Sequence, residues 1–140
     1  MSSRVLAIDH GLKRIGLAVS DPSRTIAREL RILVRKSKAE DFAQIQQILE
    51  AEQIGLILVG IPHSEAAAGV HTQADTVRTW ITRLREVTEL PVIEWDEQLS
   101  SDDAREIARN QRRKPDAPID DLAARVILQS YLDARRDGLA

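Results

Sequence analysis

Apolar positions run together or alternate in five places along the chain, and they recur at helical spacing in four others. Residues 4–9, RVLAID, are a short apolar run closing on an acid, as in a buried strand. In residues 14–20, RIGLAVS, Ile15, Leu17 and Val19 share one face, and Gly16, Ala18 and Ser20 share the other. The small face predicts close packing by a helix or another chain. Residues 27–34, ARELRILV, predict a third strand with Leu30, Ile32 and Val34 on one side. The connections between these strands are short, which favours antiparallel neighbours.

The period then changes. Phe42, Ile45, Ile48 and Leu49 predict a helix over 39–53. GLILVG (55–60) is a continuous apolar run, as in a central strand buried on both faces, and IPHSEAAAG reads as a loop. Val70, Ala74, Val77, Ile81 and Leu84 mark a long amphipathic helix, and LPVIEW (90–95) a fifth strand. Ser100 is a candidate N-cap for a short helix to about Asn110. RNQRRKPDAP is a basic loop, and the last helix starts near Ile119 with Leu122, Ala123, Val126 and Ile127 inward. The order βββαβαβαα implies an α/β fold. Its five-stranded mixed sheet has three antiparallel strands, then two parallel ones, with helices on both faces. No repeat or linker divides the 140 residues, so one domain is expected.

Composition narrows the classes. The net charge of −2 argues against a globally basic nucleic-acid binder but leaves room for a local basic face. The absence of cysteine excludes disulfides and thiolate metal sites, and His10, His63 and His71 lack a zinc spacing. No apolar run reaches membrane-spanning length, and MSSRVLAID has no signal-peptide core, so a cytoplasmic protein without a membrane partner is expected. Aromatics at 3% make a base-stacking platform improbable.

The candidate chemistry lies at the strand ends. Parallel strands present ligands at their carboxyl ends. Asp9 ends the first strand, Gly60 the fourth, and Glu97 follows the fifth. If the fourth strand separates the first from the fifth, those two lie about 10 Å apart. Glu97 then has to lean back over Gly60. In PIDDLAA, Asp120 borders the apolar face of the last helix, whereas Asp121 points toward Arg125. Three carboxylates meeting there would suit Mg²⁺ or Mn²⁺, and a pair of such ions supports phosphodiester cleavage. Bland alternatives stand beside each. Asp9 could open an Asp-His-Gly turn, Glu97 could be a solvated loop residue, and Asp120 and Asp121 could simply complement the helix dipole. His10 has only its place in the motif to support a role as proton donor. Gly11 would let backbone and phosphate approach closely. Cations gather at Arg28, Arg31, Arg35, Lys36 and Lys38, and again at Arg109, Arg112, Arg113 and Lys114. Lys13 and Arg14 add charge beside Asp9. Solvated charge is the ordinary reading of such groups, but an acidic polymer substrate would need them.

Four segments together, AIDHGLKRIGLAVSD (7–21), LILVGIP (56–62), LPVIEWDEQLSS (90–101) and IDDLAARVILQSYLD (119–133), resemble the bacterial YqgF/RuvX family. That family comprises pre-16S ribosomal RNA nucleases and Holliday-junction-resolvase-like proteins, and the resemblance covers nearly the whole chain. It implies a ribonuclease H-like fold and a metal-dependent nuclease. The family's acidic triad falls on Asp9, Glu97 and Asp120, which would bind two Mg²⁺ or Mn²⁺ ions and catalyse hydrolysis. Lys13, Arg14, Arg112, Arg113 and Lys114 would contact nucleic acid. The implied substrate is structured RNA at the 5′ end of pre-16S rRNA, with branched DNA as the alternative. A resolvase that cuts two strands would require a homodimer rather than a monomer. Ribosomal or transcription proteins are the partners a non-catalytic binding module of this fold would have. The chain departs from the family after Gly60, where the Asn-Met-Asp-Gly that often follows is missing. It departs again at Gln98 and Ser100, where the family has Arg and Thr. An actin-type ATP-binding domain also uses Asp-x-Gly, but it needs a second phosphate hairpin that this sequence lacks.

Overall fold

Nine elements follow in the predicted order in the computed structural model, which describes residues 3–62, 70–97 and 100–140, without the side chains at 100 and 101. They are β1 (Arg4–His10), β2 (Arg14–Ser20), β3 (Ala27–Val34), α1 (Lys38–Ala51), β4 (Ile54–Pro62), α2 (Gln73–Val87), β5 (Val92–Glu97), α3 (Ser100–Asn110) and α4 (Asp120–Arg136). The expected loop at 63–69 with His63, the position of Gln98 and the Ser100 cap lie outside the described residues.

The sheet order is β3-β2-β1-β4-β5. β2 is antiparallel to both β1 and β3, while β4 is parallel to both β1 and β5. β4 thus lies between β1 and β5, the arrangement that brings Asp9 and Glu97 to one end. Successive side chains of β1 point to opposite faces. Leu6 and Ile8 join Ile45, Val77, Ile81 and Leu84 beneath α1 and α2, whereas Val5 and Ala7 join Ala124, Ile127 and Leu128 of α4.

Several boundaries differ from expectation. β4 continues to Pro62, and β5 is displaced so that Glu97 is its last residue rather than a loop residue beyond it. Val70 precedes α2 and is exposed; that helix is capped by Thr72, whose hydroxyl accepts from Asp75 N while Asp75 accepts from Thr72 N. In β3 the pairing slips: Leu17 faces Arg31 but Ala18 faces Glu29, leaving Leu30 as the extra residue of a bulge. The bulge shifts the alternation downstream. Leu33 therefore enters the core beside Leu30, and Val34 turns to solvent.

α4 starts at Asp120 without a side-chain hydrogen bond from its N-cap, Ile119. A missing cap costs about 1 kcal/mol. Ile127, Leu128 and Leu132 are buried, each worth about 1.5–3 kcal/mol. Packing against the small face of β2, rather than capping, therefore fixes this helix.

Candidate active site

Asp9 pairs across the β1–β2 ladder with Gly16, and the alternation of β1 puts its side chain on the α4 face. Gly16 leaves a hollow there. A Cβ on it would meet the backbone of Asp120 and Asp121, so the first turn of α4 lies directly on the strand. From the other side, Glu97 closes β5 in register with Pro62 of β4. A Cβ on Gly60 would stand 3.3 Å from Glu97 Oε2 and 2.9 Å from Ile127 Cδ1. The bare glycine is what lets the Glu97 carboxylate reach back over β4.

The Asp9 carboxyl feels both of its acidic neighbours. Burial pushes the Asp9 carboxyl up to about 8. The charges of Glu97 and then Asp120 add to the rise, and a hydrogen bond with Glu97 holds the proton. Two carboxyls that share a hydrogen bond must hold a proton between them, because bare charges that close repel.

Asp120 has a different partner. Arg14 Nε donates to Asp120 Oδ2 at 2.9 Å, tying the β1–β2 hairpin to the start of α4. Its neighbour Asp121 departs from the expected outward path toward Arg125. Asp121 is buried and receives two bonds from Arg113, Nη1 to Oδ1 at 2.8 Å and Nη2 to Oδ2 at 3.0 Å. Arg125 instead pairs with Glu29 on β3, as Arg113 also does at a longer 3.8 Å. Sequence reasoning missed this lattice because it joins β3 to α4, elements far apart in the chain. The small face of β2 was the only signal that something packs closely there.

Of the cations expected at nucleic acid, Arg14 and Arg113 are thus engaged with carboxylates, while Lys13, Arg112 and Lys114 are exposed. Gly11 also has a local reason. Its N–H donates to Arg14 O at 2.9 Å, and a Cβ would lie 2.6 Å from that oxygen, so the tight turn excludes a side chain. His10 points to the opposite face of the sheet from Asp9, where its ring packs on Trp80. Burial, with Arg35 nearby, lowers it to about 4.

Among the described residues, no trio of His, Asp and Glu side chains is spaced as a finished ion cage. The donor set nonetheless fits a hard divalent cation. It consists of carboxylate oxygens, and the proton held between Asp9 and Glu97 marks where positive charge is needed. A second hollow lies beside it, lined by Trp95, Asp96, Asp103, Ile127 and Ser130 between β5, α3 and α4.

The chain is similar to known proteins over its whole length. A family model described as "RuvX: Holliday junction resolvase" matches residues 3–134. A protein of Thermoanaerobacter pseudethanolicus named "Putative pre-16S rRNA nuclease" is 37% identical over 138 residues, covering 96% of this chain and 99% of that one. One of the same name from Synechocystis is 38% identical, covering 99% and 94%. Among solved structures, Thermus thermophilus RuvC in complex with a Holliday junction superposes with a TM-score of 0.66 at 16% identity, covering 98% of both chains. The fowlpox virus resolvase with its Holliday junction gives 0.58 at 13% identity, covering 94% of this chain and 98% of that one. These two structures share the fold, the ribonuclease H-like arrangement.

Proposed function

The chain belongs to the RuvX family, and from that premise we propose that residues 1–140 work as one divalent-metal-dependent nuclease domain acting in the cytoplasm on the 5′ end of pre-16S rRNA. The supporting observation is the carboxyl group of Asp9, half-buried at the end of β1 with Glu97 and Asp120 pressing charge on it. No helix among the described residues is long and apolar enough to cross a membrane.

Asp9, Glu97 and Asp120 would hold Mg²⁺ or Mn²⁺. When bound, such ions supply neutralisation of phosphate charge and activation of the attacking water. The chain's own residues do the rest. Asp9 and Glu97 give up their shared proton. Arg14, now on Asp120, is placed to turn to a backbone phosphate once that carboxylate is engaged elsewhere. Lys13, Arg112 and Lys114 attract the polyanion toward a site whose own carboxylates repel it. The names of the near-full-length relatives favour RNA as the substrate.

The family description also names Holliday junctions, so a four-way DNA junction is the second substrate, and its symmetrical cleavage would call for a homodimer. The test compares cleavage of a 5′-extended 16S precursor and of a four-way junction, with Mg²⁺ or Mn²⁺ and with chelator. Asp9→Asn and Glu97→Gln should each abolish metal-dependent cleavage. Undiminished cleavage by either variant would refute the site. Junction cleavage in preference to RNA would refute the substrate.

A further inference from the structure

The first turn of α4 carries two adjacent acids with different surroundings. Asp120 acts on the acidic site, where Asp9 feels its charge. Asp121 is only 8% exposed and is gripped by Arg113. Both of its oxygens accept from that guanidinium, at 2.8 and 3.0 Å. Asp121 Oδ1 also accepts from Leu122 N at 2.9 Å. That N–H is one that an N-cap side chain would ordinarily take, and Ile119 offers no such bond. The Arg113–Asp121 clamp therefore stands where the cap is missing.

Arg113 is itself held at both ends. Its backbone N–H donates to Ala108 O at 2.9 Å, just after Arg112 takes the left-handed conformation at φ 59°. Its Nε donates to Gln111 Oε1 at 3.2 Å, and its Nη1 to Pro118 O at 3.4 Å. Glu29 of β3 backs the arrangement. It accepts from Gln111 Nε2 at 2.6 Å and from Arg125 Nη1 at 3.2 Å, with Arg113 Nη2 at 3.8 Å. The guanidinium spends its donors on protein partners rather than on a phosphate. The frame thus runs from β3 through the basic loop to the turn whose backbone rests on Gly16. Arg14, the other cation at this turn, holds Asp120 itself and must let go when a cation takes that carboxylate. Arg113 can keep its grip throughout.

We propose that Arg113 is a positioning residue for the acidic site, acting through Asp121 to fix the first turn of α4 so that Asp120, and not Asp121, is presented to a divalent cation. The inference rests on the reading of Asp9, Glu97 and Asp120 as a metal site. Residues that orient metal ligands from outside typically change metal affinity by about 10–100-fold. The sign is diagnostic. On charge alone, removing a cation near the site raises affinity for a divalent ion, whereas loosening Asp120 lowers it.

The experiment measures Mn²⁺ affinity of the full-length protein by calorimetry, each variant at a temperature where it is folded. Arg113→Gln should lose at least about tenfold in affinity. Arg113→Lys keeps the charge but not the two-pronged grip, and should lose severalfold. Ile45→Val, a core change beneath α1 that lowers stability away from the site, should match the parent. In the metal-free protein, hydrogen exchange of the Leu122 amide should quicken in Arg113→Gln while that of Leu128 stays slow. Unchanged or raised Mn²⁺ affinity in folded Arg113→Gln would overturn the proposal, as would an equal loss in Ile45→Val. A higher KM for RNA with Mn²⁺ affinity unchanged would also overturn it, making Arg113 a phosphate contact. Asp120→Asn checks the metal site separately. If the parent binds Mn²⁺ and that variant does not, failure at Arg113 belongs to this inference alone; a parent that binds no Mn²⁺ overturns both.

Discussion

Gly16 and Asp120 stand closer than any side chain would permit: a Cβ on Gly16 would fall 1.9 Å from the Asp120 carbonyl oxygen and 2.2 Å from its carbon. Both contacts are backbone, so nothing flexible can yield. Gly16→Ala must lift the first turn of α4 off the sheet. It should destabilise the protein by about 3 kcal/mol, at the upper end of overpacking costs. Denaturant unfolding measures the loss, and the metal affinity of the folded fraction should fall with it.

Arg14 is tied to Asp120 by one bond at 2.9 Å, with side chains 42% and 23% exposed. So exposed a pair contributes under about 1 kcal/mol to stability. Its larger effect is on the site, where the guanidinium competes with any cation for Asp120. Arg14→Gln should leave unfolding within about 1 kcal/mol of the parent, raise Mn²⁺ affinity severalfold, and raise the KM for RNA. Calorimetric metal titration beside steady-state cleavage checks all three. Metal affinity that falls instead would show that Arg14 supports the carboxylates rather than competing for one.

Asp9 links stability to pH in the metal-free protein. Its carboxyl is raised from 3.8 to about 8 by burial and by Glu97 and Asp120, so the folded chain holds this proton more tightly than the unfolded chain. The resulting stability is complete below about pH 4 and is lost as pH rises to about 8, with a slope of at most about 1.4 kcal/mol per pH unit. Above that range this group contributes no further change. Unfolding curves at pH 5, 6.5 and 8 should show the decline with chelator present and a smaller one with saturating Mg²⁺. Asp9→Asn carries no charge and should be the more stable protein at pH 8 without metal. An identical pH dependence in that variant would assign the slope to other groups.

Arg113 and Asp121 form a two-pronged pair with side chains only 24% and 11% exposed. Removing the cation strands a buried carboxylate, which costs more than the pair itself contributes. Arg113→Ala should therefore destabilise by about 2 kcal/mol, whereas Lys114→Ala, in the same basic loop, should stay within about 0.5 kcal/mol. An Arg113→Ala/Asp121→Asn double variant should recover part of the loss. Equal losses at 113 and 114 would mean that the loop, not the pair, is what matters.

Much of this architecture is legible in the chain. The alternation in RIGLAVS foretells a large-residue face and a small one, and the small one is where α4 docks. The unbroken run GLILVG marks the strand that separates Asp9 from Glu97, and its last glycine supplies the space between them. What periodicity could not show depends on pairings across the chain. The bulge at Leu30 is a property of the β2–β3 register, so Leu33 and Val34 exchange the roles their spacing suggests. Helix facing separates Asp120 from Asp121 in sequence but sends Asp121 outward to Arg125, and only the placement of Arg14 and Arg113 shows that both are held inward. His10 sits inside the motif of the acidic site yet faces away from it, because adjacent strand residues look to opposite sides.

The docking of α4 on Gly16 also sets an order of events. Asp9 is synthesised before the rest of the site, and Glu97 comes after most of the sheet. Asp120 arrives only with the last helix, and domains assemble as the chain emerges from the ribosome. Until α4 closes over β1 and β2, two of the three carboxylates have no third, and the apolar face of Val5, Ala7 and Ala18 has no cover. A growing chain beside the ribosome that makes it therefore carries no complete acidic site. The three carboxylates come together only once α4 is made, so a chain that stops short of α4 lacks Asp120.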